Sequence, residues 1–192
     1  MSKVVWLVSG MMFFIPEMAW AHPSHTWVNA YGAGFWHPFS GLDHLLMMIA
    51  VGVWAAMLGG VYRLLIPLLF LLAAMVGFFV GVENISQVFV AVEVSIALSL
   101  LFIGVLIFFR SQFSFLVSLP LMFIFGLSHG IAHGVEVPMG TTAPLFLVGF
   151  MTATALLHGI GMLLSNANRD ARWLHQMWGI FLMVAGAWEM ML

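Results

Sequence analysis

Long apolar runs separated by short polar connections dominate the sequence from residue 40 onwards. A helix needs about 20 apolar residues to cross the hydrocarbon core, and six runs approach or reach that length. Their predicted bounds are 40–60, 64–82, 88–109, 113–133, 143–164 and 173–192. Strands of a membrane barrel would instead show short segments of alternating polarity, which this chain lacks. The pattern predicts an all-α integral membrane protein, a single domain built as a bundle of six transmembrane helices.

The N-terminal segment has the pattern of a secretory signal. A basic residue precedes the apolar stretch 4–15, and Ala19 and Ala21 supply small residues at the −3 and −1 positions of a cleavage site. We predict a signal peptide at residues 1–21 and a mature transmembrane domain at residues 22–192. If the segment is retained, it adds a seventh helix to the bundle.

Composition narrows the functional classes. Hydrophobic residues make up 64% of the chain and charged residues only 6%, and that leaves too little polar surface for a soluble globule. The expected surroundings are therefore membrane lipid. The absence of cysteine excludes disulfides and thiolate metal ligands, and the lack of a basic run argues against nucleic acid as a partner.

The few charges predict an orientation in the membrane. Every Lys and Arg falls on one side of the six-helix plan, which the positive-inside rule assigns to the cytoplasm. These residues are Lys3, Arg63, Arg110, Arg169 and Arg172. Glu83, Glu136 and Glu189 fall on the other side. We therefore expect a multi-pass protein of a bacterial cytoplasmic membrane with its mature N-terminus in the periplasm.

A first cluster of ionisable residues opens the first apolar run: His37, Asp43 and His44. Such residues are costly at the start of a membrane helix unless they have a function. On a continuous helix His37 and His44 are two turns apart, so both reach one ion only if the chain bends near residues 38–41. Asp43 is expected either to bind the ion or to fix the tautomer of an imidazole as an acceptor.

A second cluster closes another apolar run. His129 and His133 lie four positions apart on one helical face, and Glu136 follows. Two histidines that hydrogen-bond across helices would give the same spacing. The presence of both clusters at the same membrane face favours a metal site. Imidazole nitrogens and carboxylate oxygens together suit divalent nickel, cobalt or zinc.

One further residue is a prime candidate, and three others are weaker ones. Glu93 is the acidic residue inside the third run, where it would serve as an ion ligand or a proton-linked switch. His158 lies late in the fifth run, where we expect either a relay on the exit side or a histidine bonded to a neighbouring carbonyl. After cleavage, the free amine of His22 together with His25 would be able to capture a metal ion. The 16 methionines are interpreted as flexible packing rather than as a copper path.

The residues thus favour a membrane transporter for a transition-metal ion over two alternatives. An intramembrane zinc-dependent hydrolase would need its ligands to converge on one point with an open coordination position. A non-transporting metal sensor would bind at the outer face without ion flux. A transporter predicts ligands arranged along a path, and a position of His158 deeper than the two clusters favours that reading.

At this point the sequence resembles the HupE/UreJ family of nickel and cobalt permeases, small membrane proteins associated with hydrogenase and urease maturation. The resemblance rests on three motifs. They are the His-Pro-x-x-Gly-x-Asp-His block at 37–44, the His-Gly-x-Ala-His-Gly-x-Glu block at 129–136, and Glu93 followed by Ser95, Ala97 and Gly104. An N-terminal signal followed at once by histidines adds to it, and the match covers essentially the whole chain.

The resemblance implies a secondary, ATP-independent permease that takes up Ni²⁺ or Co²⁺, and not an enzyme. It implies no resident cofactor, because the metal ion is the transported substrate. The positions that match the functional residues of the family are His37, Asp43, His44, Glu93, His129, His133 and Glu136.

Overall fold

The computed structural model describes residues 27–83, 89–109, 115–168 and 170–191, and these ranges are helical apart from short connections. They contain seven α-helices: α1 (Trp27–Trp36), α2 (Leu42–Leu58), α3 (Tyr62–Glu83), α4 (Phe89–Phe109), α5 (Phe115–Val135), α6 (Ala143–Ala167) and α7 (Arg172–Glu189). A 3-10 turn, His37–Phe39, joins α1 to α2. The all-α class is confirmed. The predicted signal peptide at 1–21, His22 and His25 lie outside the described residues.

Fewer than six helices among the described residues are long and apolar enough to be candidate membrane spans. The four helices α3, α4, α5 and α6 each contain a segment that meets both requirements. The short helix α2 reaches a span only together with α1, to which it is joined with a bend of 81°. The described part of the chain therefore has four or five candidate spans, and α7 does not reach the same hydropathy. This is the architecture of a multi-pass membrane protein.

Helix α1 was not predicted from the hydropathy pattern. It has only 10 residues and includes Gly32 and Gly34, so its segment is too short and too weakly apolar to register as a span. The helix nevertheless forms and lies against α6. The predicted first span is therefore only the second arm of a broken helix pair.

Glycines let the helices approach to backbone contact. Helix α3 runs along α5, where a side chain at Gly130 would overlap the carbonyl of Ala74, and one at Gly134 would overlap that of Phe78. Close packing over small residues is a main source of helix association in lipid. Gly159, by contrast, faces open space.

Helix α6 holds both arms of the broken pair in the same way. A side chain at Gly149 would overlap the backbone of Tyr31 in α1, and one at Gly161 would overlap that of Ile49 in α2. Because both arms are fixed on one helix, the 3-10 turn between them is also fixed. That turn carries His37, whose ring lies against Phe146 of α6 with 5.3 Å between ring centroids.

The two ends of the bundle differ in charge. Arg63 at the start of α3 donates a hydrogen bond to Asn166 near the end of α6, and Arg172 begins α7. At the other end of the bundle, Glu136 follows the last residue of α5, and Glu189 is the last residue of α7. Among the described residues, one end of the bundle therefore carries Arg63 and Arg172 and the other carries Glu136 and Glu189, and we call these the basic end and the acidic end.

Candidate metal centre

A cavity of about 680 Å³ opens at the acidic end of the bundle. It is bounded by the 3-10 turn, the first turn of α2, the first half of α4, and the ends of α5 and α7. Its ionisable lining consists of three histidines and four carboxylates, namely His37, His44, His133, Asp43, Glu93, Glu136 and Glu189. Most of the residues singled out in the sequence therefore meet in one place.

Three of these residues form the best-defined donor group in the described structure: His37, His133 and Glu136. One donor atom from each lies within 4.8 Å of the other two. Nε2 of His37 donates a hydrogen bond of 2.8 Å to Oε2 of Glu136, and Nδ1 of His133 lies 3.6 Å from the same oxygen. A bound metal ion lies about 2.0–2.2 Å from each nitrogen or oxygen ligand atom. Small rotations of these three side chains would bring their ligand atoms to that distance from one ion.

Glu136 lies just beyond the end of α5, and its surroundings keep it ionised. Burial favours the neutral acid, but the imidazoles of His133 and His37 outweigh that effect and hold the pKa of this carboxyl below its usual range. The carboxylate is also 41% exposed, whereas the side chain of His133 is only 2% exposed. The group thus offers a negative charge at the cavity and a nitrogen donor inside the protein.

Asp43 and His44, the last two residues of the first motif, form a hydrogen-bonded pair. Oδ2 of Asp43 lies 2.9 Å from Nδ1 of His44, so the carboxylate accepts a hydrogen bond from that N–H group. The other ring nitrogen, Nε2, is buried and has no hydrogen-bond partner among the described residues. Of the two roles considered for Asp43, this contact is the one expected of an acceptor that fixes the tautomer of the imidazole.

The bend expected near residues 38–41 is present, and Gly41 in it lies against Asp43 and His44. A side chain at Gly41 would place its Cβ 2.8 Å from Oδ1 of Asp43 and 3.1 Å from Nδ1 of His44. Because of the bend, His37 and His44 reach the same neighbour from different directions. Their ring centroids lie 4.8 and 4.5 Å from that of His133.

The imidazoles continue inwards from this point as a column. The ring of His44 lies 5.2 Å from that of His129, one turn of α5 below His133. Nδ1 of His129 donates a 2.8 Å hydrogen bond to the carbonyl of Phe125, so its Nε2 carries the lone pair. The His-x3-His pair therefore presents two donors that face the protein interior along α5.

The remaining predicted residues lie at the edges of this arrangement. Glu93 lies only one turn into α4 and lines the exposed wall of the cavity, nearer the acidic end than its position in the apolar run suggested. His158 is buried in α6, and its ring lies 5.4 Å from that of Phe70. Ala97 also lines the cavity, whereas Ser95 and Gly104 serve helix packing. Ser95 bonds Ser128 of α5 at 2.7 Å.

Sequence reasoning missed Glu189 as part of the site. It is the last residue of α7 and lines the same cavity as Asp43. The charge pattern did assign Glu189 to the acidic face, but no spacing links it to a histidine motif. Only the packing of α7 on α4 brings it to the cavity.

Comparison with known proteins gives a consistent result. The family described as HupE / UreJ protein matches residues 10–189. Among curated proteins, the chain is 38% identical over 154 residues to "Protein HupE" of Rhizobium leguminosarum bv. viciae. That match covers 79% of this chain and 78% of the relative. No solved structure matches the chain.

Proposed function

The chain belongs to the HupE/UreJ family, and from that premise we propose that it is a secondary permease for Ni²⁺ or Co²⁺. This is a family of transporters, associated with nickel uptake for hydrogenase and urease, and not of enzymes. The observation that carries the proposal is the column of imidazoles that leads from the carboxylate-lined cavity into the bundle. The ion is the substrate of this column, and no ATP is consumed.

Capture begins in the cavity at the acidic end. The four carboxylates give the cavity a negative charge, which raises the local concentration of divalent cations and speeds their arrival. There Glu136, His37 and His133 replace part of the water shell of the ion with one oxygen and two nitrogen donors. This donor set suits Ni²⁺ and Co²⁺, and the ionised carboxylate offsets one of the two charges.

Transfer inwards follows the contacts between the rings. His133 touches both His37 and His44, so it is shared between the first site and the next donor. His44 offers Nε2 because Asp43 holds the proton on Nδ1. Each exchange of one imidazole for another keeps the ion liganded, which avoids the large cost of a bare charge in the interior. Glu93 adds negative charge at the cavity wall.

The direction of transport follows from the charge distribution. We propose that the basic end faces the cytoplasm, so that the cavity faces the periplasm and the permease takes up its ion. The proposal includes six spans, with α1 and α2 counted as one and α7 as the last. The signal peptide at 1–21 remains part of the proposal, as does capture of an ion by His22 and His25.

A zinc-dependent hydrolase is the second candidate, since His37, His133 and Glu136 would suit a three-ligand site with an open position. The arrangement of the other histidines favours transport. A hydrolase needs one closed site, whereas His44 and His129 extend the donors away from that site into the bundle. A metal sensor would need no such extension.

Ion flux into proteoliposomes tests the proposal. Vesicles with the purified wild type are compared with His44→Ala and with a matched control, His175→Ala, which removes a buried histidine near the basic end. We expect saturable Ni²⁺ or Co²⁺ uptake in the wild type and the control, and none in His44→Ala. Metal binding without flux in the wild type would identify a sensor, and turnover of lipid amides would identify a hydrolase.

A further inference from the structure

At the inner end of the column, three buried polar residues have nitrogen or oxygen atoms without a hydrogen-bond partner in the described structure. They are His129 on α5 and Thr154 and His158 on α6, each at most 1% exposed. Nε2 of His129, Oγ1 of Thr154 and both ring nitrogens of His158 make no hydrogen bond within the described part of the chain. Buried polar atoms are almost always paired, so a group of four unpaired atoms needs a ligand or another explanation.

The helix geometry brings these residues towards each other. Thr154 and His158 are one turn apart on α6 and therefore share a face. The rings of His129 and His158 both lie against Phe70, at 5.5 and 5.4 Å between centroids. Side chains lean towards the N-terminus of their helix, and α5 and α6 start at opposite ends of the bundle. His129 thus leans down and His158 leans up.

The chemistry of the group is that of a neutral metal site. It offers imidazole nitrogen and hydroxyl oxygen, which suit a borderline divalent ion. The alternative considered for His158, a hydrogen bond to a neighbouring carbonyl, is absent among the described residues. His129 shows the contrast, because its Nδ1 is satisfied by the carbonyl of Phe125 while Nε2 stays available.

We infer that His129, Thr154 and His158 form a second, inner binding site for the transported ion. The inference rests on the proposed function, which delivers the ion from His44 to His129. Unlike the outer group, the inner site has no carboxylate among its three donors. Because the charge of the ion is not compensated there, the inner site binds more weakly than the outer one, by about tenfold or more.

Binding stoichiometry tests the inner site without any need for transport. The purified full-length chain is dialysed against radioactive Ni²⁺, and bound ions per chain are counted as the free concentration rises. The wild type is expected to bind two ions, the second more weakly. The key variant is His158→Phe, which keeps an aromatic ring against Phe70 and removes both nitrogens. It should bind one ion, with the affinity of the first site unchanged.

Further variants make the result specific. Thr154→Val keeps the shape of the side chain, and it should weaken the second ion about threefold to tenfold without affecting the first. His175→Phe is the matched control, since it makes the same exchange at a buried histidine away from the cluster. It should bind two ions like the wild type. If His158→Phe does not fold, the Thr154→Val titration still decides the matter.

The outcomes separate the inner site from the proposed function. One ion per wild-type chain, or an unchanged second ion in both His158→Phe and Thr154→Val, would overturn the inner site. Loss of the second ion in His158→Phe, with uptake reduced at least tenfold, would support both. Loss of the second ion in a chain whose wild type shows no uptake would support the inner site and refute the permease.

Discussion

The outer and inner parts of the histidine column use the same ligand in two different settings. In the outer part, carboxylates contact the imidazoles: Glu136 contacts His37 and His133, and Asp43 contacts His44. In the inner part, His129 is held by a backbone carbonyl, and His158 has no hydrogen-bond partner within the described residues. Charge compensation favours capture of the metal ion in the outer part, and its absence favours release of the ion from the inner part.

The largest loss of uptake is expected from a substitution at His133, which contacts several members of the outer part. His133 touches His37, His44 and Glu136, so His133→Ala removes a donor from the outer group and also breaks the link to the next one. We expect Ni²⁺ uptake to fall by about a hundredfold or more, above the range typical for residues that only support a ligand. Radioactive uptake into proteoliposomes, normalised to inserted protein, measures it. Uptake within threefold of wild type would contradict the column.

The next effect concerns the carboxylate that orients His44. Asp43→Asn keeps the size of the side chain but removes its charge, and with it the strong acceptor for Nδ1 of His44. Loss of such support typically costs about 10–100-fold in affinity or activity, and uptake is expected to fall within that range. Dialysis against Ni²⁺ would show whether the loss lies in binding. Wild-type uptake in this variant would mean that Asp43 does not act through His44.

Gly41→Ala adds no charge and removes no metal ligand, yet it should also reduce ion transport through the outer part. In Gly41→Ala, the new methyl group crowds both Asp43 and His44 and displaces their hydrogen bond. We expect about a tenfold loss of uptake, near the lower end of the range for support of a ligand. Gly159→Ala is the control, since its surroundings are open. Equal uptake in both variants would show that the geometry at the bend does not matter.

The smallest effect is expected at the edge of the cavity. Glu189→Gln removes one of four carboxylates but no donor of the outer group, so it should raise the apparent KM about twofold to fourfold. The maximum rate should not change. Because salt screens exposed charges, the difference from wild type should disappear at high ionic strength. A change in maximum rate would instead make Glu189 part of the binding group.

The sequence predicted the helices better than it predicted the relations between them. The runs 64–82 and 143–164 became α3 and α6 with ends shifted by a few residues, because hydropathy and length determine a spanning helix. Helix α1 escaped that criterion because it is short and contains glycines. The spacing of His37 and His44 showed that a bend was needed, but its 81° depends on how both arms pack on α6.

The candidate site was predicted in part for the same reason. The ionisable residues at the cavity were visible as costly groups in apolar runs. Which imidazoles touch could not be deduced, because that depends on tertiary contacts between α2, α5 and α6. Glu189 joins the site only through the packing of α7 on α4. The ligand set is still a prediction, as are the signal peptide and the number of spans.

The glycine contacts divide the bundle along the column itself. Backbone contact joins α1 and α2 to α6, and separately joins α3 to α5. From the cavity inwards, the rings alternate between these two units: His37 and His44 belong to the first and His133 and His129 to the second, before His158 returns to the first. The column thus lies along the interface between the two units. Because each ring contact joins one unit to the other, a slide of one unit against the other would change all of these ring contacts at once.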